Sequence, residues 1–146
     1  MSDLLNGRPT MSFWLIGGAA LIWNLFGLIV YYMQVSASPE ELAAVYTAEQ
    51  VDFMMSTPKW ATSAFAIAAN AGVLGSLFLL LRKSWAVPMF VISLVAVLIQ
   101  NLHSFVLNDA MALFGSTPVI IQSVIVIIAA VLIWYSRRAK DKGWIS

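Results

Sequence analysis

The chain has 146 residues, of which 61% are hydrophobic and only 10% charged. A soluble domain carries about 25% charged and about 45–50% apolar residues, so this composition excludes a disordered chain, a nucleic-acid binder and an ordinary soluble enzyme. With no cysteine, a disulfide framework and any cysteine-ligated zinc or iron–sulfur centre are excluded as well.

Four long apolar stretches follow one another, at about 13–34, 60–81, 85–107 and 119–135, and none contains Asp, Glu, Lys or Arg. A hydrocarbon core of roughly 30 Å needs about 20 apolar residues per helix, and all four are near that length. They are continuously apolar, whereas a β-barrel strand would alternate polar and apolar positions. The predicted fold is therefore all-α, a polytopic four-helix transmembrane bundle forming one domain over 1–146. Val35-Ser36-Ala37 resembles a signal-peptide cleavage site, but the preceding run exceeds the roughly 7–15 residues of a signal h-region and reads as a retained helix.

The segment 35–59 is the long connection. Ser38-Pro39-Glu40-Glu41 and Thr47-Ala48-Glu49-Gln50 each have the capping pattern of a helix start. They predict short helices at about 39–46 and 48–55, with Leu42, Val45, Tyr46, Val51, Met54 and Met55 supplying apolar contact. Such an amphipathic segment lies over the mouth of a bundle or in the headgroup plane. Arg82-Lys83-Ser84 is a tight turn that makes the second and third spans a hairpin, with Pro88 in the first turn or so of the third. Thr117-Pro118 reads as an N-cap followed by Pro at the first helical position of the fourth span.

Charge sets the expected topology. Arg8, Arg82, Lys83, Arg137, Arg138, Lys140 and Lys142 fall on one side and Lys59 on the other. The positive-inside rule makes the first side cytoplasmic, with both termini inside and 35–59 outside. The acidic residues sort oppositely, with only Asp3 and Asp141 inside and Glu40, Glu41, Glu49, Asp52 and Asp109 outside. The basic tail 136–146 is explained as this topology signal, and it can also meet anionic lipid headgroups. Trp14, Trp60, Trp85, Trp134, Tyr31, Tyr32 and Tyr135 fall near span ends, as interface anchors do. Trp23 falls mid-span, so its indole N–H is expected to find a partner inside the bundle.

Because the spans hold no charge, any chemistry rests on uncharged polar groups, which are unusual in lipid. Asn24 and Asn70 lie at mid-depth, Gln100, Asn101, His103 and Ser104 cluster in the outer half of the third span, and Gln122 and Ser123 lie near the outer end of the fourth. Asn24, Asn70, Gln100, Asn101, His103, Ser104 and Gln122 are the candidate ligand-binding residues. They can line a cavity open to the outside that hydrogen-bonds a neutral polar ligand, or bond helix to helix. His103 is the single histidine, the residue type suited to proton relay near neutral pH. One histidine without a neighbouring Cys, Asp or Glu supplies too few ligands for a metal. No nucleophile–base pair, paired carboxylates or phosphate-binding glycine loop appears, so no catalytic residue, metal or cofactor is expected and the chain reads as a non-enzyme.

Small residues form a second pattern. Gly17, Ala20, Asn24 and Gly27 share one face of the first span, and Ala64, Ala68, Ala71 and Gly75 share one face of the second, beside Gly72-x-x-x-Ser76. Such stripes let backbones approach closely, either within the bundle or along a seam between copies.

Several local strings resemble a family of small four-helix bacterial inner-membrane proteins whose members carry the label "sugar transporter". They are Trp23-Asn24-Leu25-Phe26-Gly27, Tyr32-Met33-Gln34-Val35, Pro58-Lys59-Trp60-Ala61-Thr62, Ala64-Phe65-Ala66-Ile67-Ala68, Leu79-Leu80-Leu81-Arg82-Lys83-Ser84-Trp85-Ala86 and His103-Ser104-Phe105. The resemblance spans about Phe13 to Trp144, and implies a multi-pass inner-membrane protein that transports a neutral solute. Small multidrug exporters and DoxX-like redox-associated proteins are similar in size. The exporters use a glutamate in their first helix, where this chain has Asn24.

Three functions follow as expectations. The first is transport of a neutral polar solute such as a sugar, by a homo-oligomer, since four helices barely enclose a path. The second is an accessory protein whose outer loop docks a partner membrane protein. The third is a quinone- or lipid-binding redox accessory. The bilayer is the common partner; no nucleic acid is expected, and the substrate is left open.

Overall fold

A computed structural model describes residues 8–146; Asp3, counted above among the inner charges, lies outside them. Among the described residues the chain is helical throughout, without strands. Four helices are long and apolar enough to cross a membrane: α1 (Met11–Ser36), α4 (Lys59–Leu80), α5 (Ala86–Asn101) with its continuation Leu102–Leu107, and α7 (Thr117–Asp141). Between them lie α2 (Pro39–Ala43), α3 (Ala48–Met55) and α6 (Ala110–Phe114), all at one end, here termed the loop end. The opposite end, with the Arg82 turn and the C-terminal segment, is the tail end.

α4 is the central helix, packed against α1 and α5, and α5 in turn packs against α7. Small side chains make this possible. Ala64, Ala68, Ala71, Gly72, Gly75 and Ser76 are all buried, and so are Gly17 and Ala20 on α1. A Cβ on Gly75 would come within 2.8 Å of the Phe90 ring, and one on Gly17 within 2.7 Å of Leu80. Both stripes are thus occupied by packing within one chain; only Gly27 faces open space.

The tail end is a packed plug. Phe13, Leu79, Phe90, Ala139 and Ile145 are at most 2% exposed and pack with Leu132, Tyr135 and Trp144. Phe13 meets Tyr135 and Trp144 at 6.5 and 5.8 Å between ring centres. Two helix ends stop side by side here in the same motif. After α7, Trp144 N–H donates to Ala139 and Gly143 N–H to Lys140, with Gly143 at φ 76°. After α4, Lys83 N–H donates to Phe78 and Arg82 N–H to Leu79, but the left-handed position is Arg82, at φ 62°. This paired bonding is the Schellman termination, which favours glycine at that position. Arg82 holds it while its Nε donates to the Trp144 carbonyl at 2.8 Å and its own carbonyl accepts from Ser146 N–H at 3.1 Å.

Several expected boundaries shift. The fourth helix runs on to Asp141, because Arg137, Arg138, Ala139 and Lys140 favour helix and basic side chains suit a helix C-terminus. Its N-cap is Ser116, with Thr117 already helical. The short α6 lies within what reads as a plain loop; Asp109 caps it by accepting from Ala112 N–H at 3.2 Å, and Gly115 ends it at φ 80°. Trp23 is 39% exposed on the outside of α1, and its indole N–H has no partner among the described residues.

Candidate functional site

At the loop end the helices part around a cavity of about 400 Å³. α1 contributes Gln34, α4 Ala61, Thr62 and Phe65, α5 with its continuation Gln100, His103, Ser104 and Phe105, and α7 Pro118 and Gln122. The loop helices and the turns between them lie over it with Tyr46, Phe53, Met54, Thr57 and Phe114. No Asp, Glu, Lys or Arg lines it.

The wall that presents His103 is wound differently from the rest of its helix. Leu102–Leu107 is a π-helical turn, a rare form that inserts a residue and re-aims side chains, frequently at functional sites. It ends where the Asn108 side chain donates to the His103 carbonyl at 2.8 Å. The imidazole is 7% exposed, held between the Trp60 ring (5.4 Å, edge-on) and the Phe53 ring (5.9 Å). Its ring nitrogens have no hydrogen-bond partner among the described residues.

The roof is latched. Thr47 and Gln50 form the predicted reciprocal cap of α3, with Gln50 Nα–H donating to Thr47 Oγ1 at 3.2 Å and Thr47 N–H to Gln50 Oε1 at 3.0 Å. The remaining group of Gln50, Nε2, donates to the Leu113 carbonyl at 2.7 Å, tying α3 to α6. Phe114 packs edge-on against Phe53 and Tyr46. Leu42 and Val51 are buried, whereas Val45 is 77% exposed and Met55, on the cavity rim, 53%.

Of the residues singled out from sequence, Gln100, His103, Ser104 and Gln122 come together in the cavity. Asn101 does not; with Gln122, Ser123 and Phe105 it lines an adjoining, mostly apolar groove between the third and fourth spans. The Asn101 Oδ1 and Gln122 Oε1 atoms are buried without partners among the described residues. Asn24 is a cross-helix tie deeper in the bundle. Its Nδ2 donates to Ala20 O at 2.8 Å and Ser76 Oγ at 3.1 Å, and its Oδ1 occupies the notch left by Gly72. Ser93 Oγ completes this seam by donating to Ala68 O at 2.8 Å. Asn70 is on the far side of α4, exposed and away from the cavity. Helical spacing explains the difference, because residues 70 and 72 on one helix are about 200° apart.

The aromatic lining is what the sequence reading passed over. Gln50, Phe53 and Thr57 are spaced by three and four, one face of a helical turn, and Phe114 falls on a helix hidden in an apparent loop. Compared with protein-family models, with curated proteins and with solved structures, the chain matches none.

Proposed function

We propose that this small multi-pass membrane protein binds a neutral, hydrogen-bonding solute in the loop-end cavity, on the outer face by the charge rule, as a step in its transport by a homo-oligomer. One observation carries the reading. His103 lines the cavity beside Gln122, whose Oε1 is buried without a hydrogen-bond partner among the described residues. Buried polar groups are normally hydrogen-bonded, so an unpaired one in a cavity wall is a place for a ligand or water. A lining without Asp, Glu, Lys or Arg supports a neutral ligand. Aromatic faces beside amides suit a sugar, whose C–H surface stacks while its hydroxyls bond. The volume is in the range of small-molecule sites. On this reading the cavity opens outward, the tail-end plug closes the inner side, and transport requires the plug to open.

The test is uptake of a panel of radiolabelled neutral sugars by vesicles carrying the purified protein. His103→Phe keeps the aromatic packing and removes the polar atoms, and Gln100→Leu removes an amide. Both are expected to abolish uptake while the protein stays folded; undiminished uptake in both overturns the reading.

The groove beside the cavity favours a second reading. It shares Phe105 and Gln122 with the cavity and is lined mainly by apolar groups, which suits a quinone, with head in the cavity and isoprenoid tail along the groove. Quinone in solvent extracts of the purified protein, lost in His103→Phe, is the result that would select it.

A further inference from the structure

The free side of α4 is one narrow stripe. After Lys59, every exposed residue of this helix lies on it: Trp60, Ser63, Ile67, Asn70, Leu74 and Leu77. The other three spans expose adjacent pairs, such as Leu25 with Phe26, Val91 with Ile92, and Ile120 with Ile121. Steps of three and four in alternation form the seven-residue repeat by which two helices pack in a left-handed pair.

Asn70 stands at the middle of that stripe. It is eleven residues from Lys59 and ten from Leu80, about 15 Å from either end at 1.5 Å per residue, and so near the bilayer midplane. One amide N–H returns to the Ala66 carbonyl of its own helix at 2.8 Å. The Oδ1 atom and the second N–H have no partner among the described residues. Hydrocarbon offers neither donor nor acceptor. A carboxamide does both, so two such groups satisfy each other. A two-fold axis places a residue opposite its own copy, and a single central asparagine is a known means of fixing register and strand number in a helix pair.

We infer that α4 is a homodimer interface, in which two copies pack along Trp60, Ser63, Ile67, Asn70, Leu74 and Leu77 and the two Asn70 carboxamides hydrogen-bond each other at the centre. A second copy is the occupant because the group awaiting a partner is self-complementary. The seam gives a face to the oligomer that the transport reading calls for, and it lies opposite the small-residue stripes. It borders the cavity wall, since Trp60 is also the ring edge-on to His103.

The chain has no cysteine, so single cysteines report without background. Full-length Ser63→Cys, Ile67→Cys, Leu74→Cys and Leu77→Cys would be oxidised with copper phenanthroline in dilute phosphatidylcholine vesicles, beside Ile92→Cys and Ile127→Cys on other spans. Cross-linking is expected at the seam positions and not at the two controls; equal cross-linking at both sets overturns the seam. Asn70→Leu leaves the packing of a single copy untouched and is expected to weaken dimerisation by about eight- to three-hundredfold, the range for two reciprocal hydrogen bonds between membrane helices. An unchanged dimer constant removes Asn70 from the proposal. Uptake without periodic cross-linking overturns the seam and leaves the pocket standing; periodic cross-linking without uptake does the reverse.

Discussion

At the tail end, Phe13, Leu79, Phe90 and Ile145 interlock with aromatic neighbours and are each at most 2% exposed. At the loop end, Tyr46, Phe53, Phe65 and Phe114 are as aromatic, yet they stand around an open volume with amides and an imidazole between them. Aromatic content therefore does not separate a plug from a pocket. What separates them is the backbone beneath. The tail end is closed by the ends of four long helices and a returning C-terminal segment, whereas the loop end is roofed by α2, α3 and α6, none longer than eight residues. Short helices bury little on their own and are held by caps and a few tertiary bonds. The end built to hold the bundle and the end able to admit a ligand are thus made of similar side chains on different supports.

The largest effect should come from making the same deletion at both ends. Phe90→Ala removes a ring that is 1% exposed and fitted against Gly75. Its cost should be about 3 kcal/mol, the low end for Phe→Ala, because lipid is as apolar as the core and mainly the packing loss remains. Phe114→Ala removes a half-buried ring over the cavity and should cost under about 1 kcal/mol, since few atoms lose contact. Reversible unfolding in detergent and solute binding, measured on both variants, should give opposite rankings: Phe90→Ala unstable but binding at low temperature, Phe114→Ala stable but binding weakly. Equal losses of stability would erase the distinction between the ends.

A smaller effect isolates the latch. Gln50→Glu keeps an acceptor at the third position of α3, so the reciprocal cap with Thr47 survives, but an ionised carboxylate cannot donate to the Leu113 carbonyl. The expected loss is about 1 kcal/mol, the worth of one hydrogen bond, confined to the roof. Hydrogen exchange should accelerate across α3 and α6 and remain unchanged across α4 and α7. Acceleration throughout the bundle would show that the roof is not a separate unit.

How far the sequence foretold this division depends on which signal each part uses. The four spans were legible because length and continuous hydrophobicity alone define them. The caps at Ser38 and Thr47 were legible because a hydroxyl three residues before an acid or amide is a local device. The cavity was legible only in part. Gln100, His103, Ser104 and Gln122 stood out as polar groups in apolar helices, but the same logic drew in Asn24 and Asn70. Composition says that a polar group is at mid-depth; it does not say which way the helix is turned. That is decided by packing against neighbours, here by the notch at Gly72 that takes Asn24 and leaves Asn70 outside. The π turn at His103 had no sequence signal, since Leu-His-Ser-Phe-Val-Leu also suits an α-helix, and its consequence is a change of aim for residues already noticed.

The smallest effect tests the tail end, where a non-glycine residue holds a left-handed position. Arg82 and Gly143 end neighbouring helices in the same way, yet an L-residue in that conformation costs about 1–2 kcal/mol relative to glycine. If conformation alone mattered, Arg82→Gly would stabilise. The Arg82 side chain, however, donates to the Trp144 carbonyl, a bond worth about 1 kcal/mol, so Arg82→Gly should gain less stability than the conformational term alone would give. Arg82→Ala loses the same bond and keeps the strain, so it should be less stable than Arg82→Gly by about 1 kcal/mol, read as a difference in unfolding midpoint in matched detergent. Were the alanine variant as stable as the glycine one, the turn would have relaxed out of the left-handed conformation. The segment Trp144-Ile145-Ser146 would then be held by its burial against Phe13 and Ala139, not by the geometry of the turn it pairs with.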